Sequence, residues 1–367
     1  MERANVVIVG GGIVGCAIAS AVSKEWDDVF LLEQMPKLGM ATSSRNSGVI
    51  HSGLYYLPGS LKARHALRGN RLTYEFCARH NVPHRNTGKL VVATTSEEEV
   101  ELAALAERGR VNGVEGLRTI GRAGIRAREP NIIGRSAIEV PSTGIVSSEE
   151  LVKTHARLAR ERGVNIVNQA RVERMEPQQD SVRIWSTAGE IEARCLINSA
   201  GLYADEVAAM IGNKNYRIYP ARGEYCEVVR SKSHLVNGLV YPLPHADHLG
   251  LGVHFTKTVW GTLLLGPNAR YIQDKENYER DREPVEVFAS AAQQMLPCLD
   301  VTDLRLGYSG IRPKLSSPGQ KGPSDFVIER DPVHSYAVHL VGIESPGLTA
   351  APSIAEHVLE LASEILA

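Results

Sequence analysis

Residues 6–33 read as a strand, a glycine turn, a helix and a second strand ending in a carboxylate, and few folds accept that series. Val6, Val7, Ile8 and Val9 form a short apolar run that leads directly into Gly10-x-Gly12-x-x-Gly15. The first glycine permits a tight turn, the second lets a pyrophosphate approach the backbone, and the third lets the helix pack on the strand. Residues 13–24 read as a small-residue helix whose opening residues, Ile13 and Val14, turn amides toward an anion. Glu33 closes the next strand, 18 residues after Gly15, where a carboxylate accepts the hydroxyls of an adenosine ribose, and Gln34 follows it. A glycine turn alone is a weak signal. Strand before, helix after and acid at the right distance together point to dinucleotide binding.

The rest of the composition excludes several classes. The 367 residues carry 41 basic and 42 acidic side chains, so nothing in the charge recommends nucleic acid or anionic lipid as a partner. A length of this order suits two domains. Cys16, Cys77, Cys195, Cys226 and Cys298 form no C-x-x-C pair, which fits reduced buried thiols in a cytoplasmic protein and no zinc site. The uncharged run 6–23 contains Ala19-Ser20-Ala21, a look-alike of a secretory cleavage site. Three consecutive glycines interrupt it and Glu2 offsets Arg3, so neither a leader nor a transmembrane segment is expected.

Beyond the second strand the regular α/β alternation stops. Residues 41–56 are rich in Ser, Asn and Gly, and a helix over 61–79, a strand over 89–95 and a helix from a Ser96/Glu99 capping box to about Arg108 follow. A second box, Ser147 with Glu150, opens a helix that Gly163 ends, and strands at 164–167 and 195–198 flank an Ala188-Gly189 turn. Residues 216–267 read as an antiparallel sheet, 274–296 as a polar helical region, 337–341 as a strand, and 349–366 as a helix with Pro352 in its first turn. The expected fold is α/β, α+β overall: a Rossmann-like domain from residues 1–85, 145–212 and 305–367, with an inserted, mostly antiparallel β-sheet substrate domain from 86–144 and 213–304. A nicotinamide dehydrogenase would continue its alternation. A chain that leaves the nucleotide domain and returns to it at Val172 and at residues 198–201 suits the longer FAD.

The chain resembles the D-amino-acid oxidase superfamily of flavoproteins, and within it the L-2-hydroxyglutarate dehydrogenase/oxidase family. Besides the glycine loop, the resemblance rests on SSRNSGVIHSGLYY (43–56), LKAR (61–64), GKLVVAT (88–94), EPNIIG (129–134), PSTGIV (141–146), INSAGLYAD (197–205), ARGEY (221–225), YPLP (241–244), LGLGVHFT (249–256) and LLGPNA (264–269). It implies that Thr42, Ser43, Ser44, Asn46 and Ser47 lie near the pyrophosphate and flavin, that the Val172 backbone meets adenine, and that Ala200 and Gly201 support the ADP moiety. Gly347, Leu348 and Thr349 would bring amides to the flavin pyrimidine, and Gly310 and Arg312 would also contact the cofactor. His51 sits where some relatives attach the flavin covalently; non-covalent FAD is expected here.

The implied reaction is oxidation of a small carboxylate substrate, an L-2-hydroxy acid of the 2-hydroxyglutarate kind, to its 2-oxo acid by hydride transfer to flavin N5. Oxygen, a quinone or another redox carrier would then take the electrons. Arg312 would grip the carboxylate through two charge-assisted hydrogen bonds, the plain alternative being an inter-domain ion pair. His254 would accept the hydroxyl proton, although a histidine on a strand is more often structural. Tyr56 and Tyr241 could donate to substrate or merely pack at the domain boundary, and Arg222 could meet a distal acidic group or serve as a sheet-edge charge. Residues 310–314 and 343–347 look closer to glycine- and sarcosine-oxidase relatives at the arginine, so amine oxidation is the alternative reaction. An interaction subunit that holds flavin without turning over is a third reading. His245, Asp247 and His248 superficially resemble a metal cluster, but their Pro-flanked turn and the lack of a second ligand pair read as a loop, with no metal.

Overall fold

A computed structural model describes residues 2–244, 252–320, 322 and 324–367. The triplet at 245, 247 and 248 lies outside the described residues.

The first strand, Glu2–Val9, is the centre of an eight-stranded sheet, parallel to Gly189–Asn198 on one side and to Val29–Glu33 on the other. Its side chains are apolar on both faces: Val6 and Ile8 enter one core cluster, while Ala4, Val7 and Val9 enter another. A strand buried on both faces is the signature of a helix-covered parallel sheet. The helices Ile13–Val22, Ser148–Glu161 and Gly347–Leu366 pack on one face, drawn there by Ile18, Val22, Leu151, Ile354 and Val358. Each such buried aliphatic side chain contributes about 2 kcal/mol.

A nine-stranded sheet forms the second layer. It runs Arg270–Tyr271, Tyr219–Val228, Leu263–Leu265, Phe255–Lys257, Leu239–Pro242, Lys89–Ala93, Ser136–Val140, Arg118–Gly121, with Leu304–Lys314 on the other side of Tyr219–Val228. Only Lys89–Ala93 with Leu239–Pro242 is parallel. A small sheet of Val49–Ile50, Gly144–Val146 and His84–Arg85 completes the strands described.

Three readings shift. The polar region 274–296 forms a helix only over Val285–Gln293, with Pro284 at its N-cap. Residues ahead of it stay irregular because the carbonyls of Asn277 and Asp281 accept hydrogen bonds from Arg222, which a helix would have consumed internally. The capping box belongs to Thr95 and Glu98, one residue earlier than expected, while Glu99 pairs with Arg135 at 2.9 Å. The strand Leu304–Lys314, counted by pattern with the nucleotide-binding pieces, pairs along Tyr219–Val228 in the second sheet, a pairing between strands far apart in sequence that a local pattern does not carry.

Candidate active site

One cavity of about 650 Å³ runs from the glycine loop, past residues 41–56, to the second sheet. At its nucleotide end Gly10 adopts φ +104°, a conformation that favours glycine, and a Cβ on Gly15 would stand 2.0 Å from the Gly10 carbonyl oxygen. Gly15 therefore serves the packing of helix on loop, and only Gly10, Gly12, Ile13 and Val14 of the motif line the cavity. The Glu33 carboxylate accepts from the amides of Gly11 (2.7 Å) and Met35 (2.8 Å), which fix its position at the strand end. Burial pulls its pKa up against those amides. Gln34, Val172, Ala200 and Gly201 line the same end.

The Ser-rich loop is organised by its own side chains. Ser43 Oγ accepts from the Ile13 amide at 2.9 Å and so occupies the first helical donor. Thr42 Oγ1 donates to the Ile311 carbonyl (2.8 Å), tying the loop to the second sheet. Asn46 accepts from the Gly48 amide (2.8 Å) and donates to the Ser43 carbonyl (2.7 Å), and Ser47 Oγ meets the Tyr225 hydroxyl at 2.9 Å. Thr42, Ser43, Asn46 and Ser47 line the cavity; Ser44 does not, its exposed hydroxyl folding back toward the Ala41 carbonyl. Gly310, packed against the Arg45 carbonyl of this loop, also lines the cavity, as do Gly347 and Leu348. Thr349 lies behind them: its hydroxyl accepts from the His51 amide (2.9 Å) and donates to the Val49 carbonyl (3.2 Å).

The far end collects residues from five separate stretches of chain: His51, Tyr55 and Tyr56 from the Ser-rich segment, Tyr241 from the strand Leu239–Pro242, His254 from just ahead of the strand Phe255–Lys257, Arg312 from the long strand, and Glu344 with Ser345 from the loop before the last helix. Tyr241 and His254 stack with ring centroids 3.7 Å apart. His254 Nδ1 lies 2.8 Å from the Gly252 carbonyl, which only accepts, so Nδ1 carries the proton and Nε2 is left with a free lone pair. Burial, opposed by that carbonyl and reinforced by the charges of Lys89 and Arg312, pushes the His254 pKa down to about 3. Burial, then Lys89, His254 and Arg312, push His51 down to about 3 as well. His51 Nε2 is 3.3 Å from Ser345 Oγ, and its Nδ1 has no partner among the described residues. Burial raises the Tyr56 hydroxyl well above its ordinary value, so it stays a donor.

Arg312 lines the cavity and makes no ion pair among the described residues. Glu344 is spoken for: Lys62 holds it at 2.9 Å and Lys314 at 3.6 Å, and these cations, opposing burial, keep its pKa low. Arg222, a candidate for a distal acid, is fully buried and bound to Glu224 (2.7 Å) and to loop carbonyls, so it has no donor to offer a ligand. It lies inside the sheet, not at an edge, and pattern alone does not distinguish the two.

A family model described as FAD dependent oxidoreductase matches residues 5–361 of the chain. The chain belongs to the FAD-dependent oxidoreductase family. This oxidoreductase is 35% identical over 403 residues to L-2-hydroxyglutarate dehydrogenase, mitochondrial, from Arabidopsis thaliana, covering 97% of this chain and 83% of that one. It is also 35% identical to L-2-hydroxyglutarate dehydrogenase from Salmonella houtenae, covering 96% and 92%. Among solved structures it superposes with TM-score 0.91 and 26% identity on FAD-bound L-alpha-glycerophosphate oxidase from Mycoplasma pneumoniae, covering 99% and 95%. Glycine oxidase from Geobacillus kaustophilus shares the fold at TM-score 0.84 and 20% identity.

FAD is the cofactor, and the residues present suit it. A glycine-lined turn at a helix N-terminus, a fixed carboxylate at the strand end and a long cavity lined by Ala200, Ser43, Gly347 and Leu348 match a dinucleotide that reaches from ribose to flavin. Tyr55, Tyr225, Ser345 and, behind the wall, Lys89 escaped the sequence reading as site residues. The only signal available for Lys89 was a charge opening the apolar run Leu90, Val91, Val92, Ala93. Among the described residues no helix is long and apolar enough to cross a membrane, and no group of three or more His, Cys, Asp or Glu could hold a metal. Cys16, Cys77, Cys195 and Cys226 are buried free thiols, while Cys298 is exposed.

Proposed function

We propose that this enzyme oxidises an L-2-hydroxy acid, L-2-hydroxyglutarate foremost, to the 2-oxo acid. The observation that carries the reading is the far end of the cavity, where an arginine with no ion-pair partner among the described residues meets two histidines held neutral by burial. The names of the relatives agree with it. When bound, FAD supplies a two-electron acceptor there. Gly10, Gly12, Val14, Glu33, Gln34, Ser43, Val172, Ala200 and Gly201 would hold its ADP half, and Ser47, Gly310, Gly347 and Leu348 its flavin half; Ile13, whose amide is taken by Ser43, only lines the ADP end.

Arg312 receives the substrate carboxylate, which fixes carbon 2 and its hydroxyl relative to the flavin. His254 accepts the hydroxyl proton at Nε2 as the carbon gives up its hydrogen with two electrons. A base with a pKa near 3 is weak, but much of that weakness comes from burial beside two cations, and a bound carboxylate offsets their charge and raises the ring's basicity. His51 is the second nitrogen base within reach, and Tyr56 donates a hydrogen bond. Amine oxidation would seat the carboxylate of a zwitterionic substrate on Arg312 in the same way, but its ammonium group would find the nearby carboxylate, Glu344, already paired with Lys62 and Lys314.

The location proposed is the cytoplasm, supported by the four buried free thiols. The electron acceptor is of the oxygen, quinone or redox-carrier class, and oxygen uptake compared with quinone reduction separates these. The deciding experiment is anaerobic mixing of the holoenzyme with a panel of acids. Flavin bleaching by L-2-hydroxyglutarate and none by glycine or sarcosine is expected; the opposite pattern overturns the reading.

A further inference from the structure

Lys89 opens the strand Lys89–Ala93, on the same face as Val91 and Ala93, which belong to an apolar core cluster with Leu54, Val140 and Tyr241. A lysine there is an anomaly. It is 1% exposed, and among the described residues its Nζ has no hydrogen-bond partner. Among the described residues no ion pair compensates it: Glu139 on the adjacent strand stands opposite Leu90, on the other face of the sheet, and is held by Arg118 and Arg128. Burying an amine without a partner costs stability, so a fold keeps one when a ligand completes it.

The amine sits over two rings, 4.3 Å from the centroid of Tyr55 and 4.7 Å from that of Tyr241. Both tyrosines line the cavity, so the amine stands immediately behind the wall of the site. The Tyr55 hydroxyl is likewise buried without a partner, and His51 Nδ1 is a third such atom. Three unpartnered polar atoms around one end of a cavity that already holds Arg312 mark a place for a second anionic group. Burial brings the amine's pKa down to about 7, so it is able to gain a proton when an anion arrives.

We propose that Lys89 is the counter-charge for the second carboxylate of a dicarboxylic substrate, seated against the Tyr55 hydroxyl, and that it sets selectivity for dicarboxylates over monocarboxylates. This rests on the hydroxy-acid reading above. Lys89 acts from behind the two rings and is a positioning residue, not a catalytic one.

The test uses two oxo acids of one chain length, 2-oxoglutarate and 2-oxopentanoate, titrated into the holoenzyme and followed by flavin absorbance. The unsubstituted enzyme is expected to favour 2-oxoglutarate. Lys89→Met should weaken 2-oxoglutarate by roughly 10- to 100-fold, the scale of one charge pair in a partly screened site, and 2-oxopentanoate by less than about 3-fold. Because methionine replaces an amine with no partner, the variant should fold and keep its FAD, and Lys89→Arg, which retains the charge, should retain the preference. Equal weakening of both ligands, or no change in either, overturns the proposal. If the unsubstituted flavin is reduced by glycine or sarcosine and by neither L-2-hydroxyglutarate nor L-2-hydroxypentanoate, the hydroxy-acid reading fails and the proposal falls with it.

Discussion

Replacing Arg312 with methionine keeps most of the side-chain volume and removes a cation that lines the far end of the cavity and makes no ion pair among the described residues. The bound carboxylate then loses a bidentate, charge-assisted pair in a water-poor site, which costs about 2 to 4 kcal/mol, or roughly 30- to 1000-fold in substrate affinity. A second consequence follows from the electrostatics. The Arg312 charge is among the causes that depress His51 and His254, so both rings should move back toward their ordinary values in the variant. The assay is anaerobic stopped-flow reduction over a range of substrate concentrations and pH, which separates the apparent Kd from the limiting rate. The Kd should rise for dicarboxylate and monocarboxylate hydroxy acids alike, whereas loss of Lys89 should act on the dicarboxylate alone. Saturation at the parent concentration would refute the carboxylate assignment and leave Arg312 as a structural charge.

His254→Gln keeps a polar side chain of similar size but removes the base, so limiting flavin reduction should slow by roughly 10²- to 10⁴-fold with little change in Kd; reduction at the parent rate with the same pH profile places the base elsewhere, with His51 next. Acid precipitation should release the FAD into the supernatant, and flavin retained on the pellet would instead point to a bond at His51. Stability should fall on acidification below about pH 6.5. His51, His155 and His254 each have a folded-state pKa near 3 against an ordinary value of 6.5, so between those limits the unfolded chain binds more protons and unfolding is favoured as pH drops. By pH 5 each contributes about 2 kcal/mol of that loss, and urea titrations at pH 7 and pH 5 measure it; equal midpoints would show that these rings are not buried neutral.

The nucleotide end was legible in the sequence because its logic is local. A strand, a tight turn and a helix fix the separation of Gly10, Gly12 and Gly15, and the rise of one more strand brings Glu33 to the same edge, so spacing alone carries the geometry. The last strand and helix, Ala337–Val341 and Gly347–Leu366, were readable for the same reason. The substrate end has no such local rule. His51, Tyr241, His254, Arg312 and Glu344 come together only when two sheets close on one cavity, and neither the closed triad of Lys62, Glu344 and Lys314 nor the saturation of Arg222 shows in a one-dimensional pattern. Lys89 marks the boundary most clearly. In sequence it is an ordinary charge at the start of an apolar strand, and only the pairing of that strand with Leu239–Pro242 and the closure of Tyr55 over it turn the amine inward, where it has no hydrogen-bond partner among the described residues.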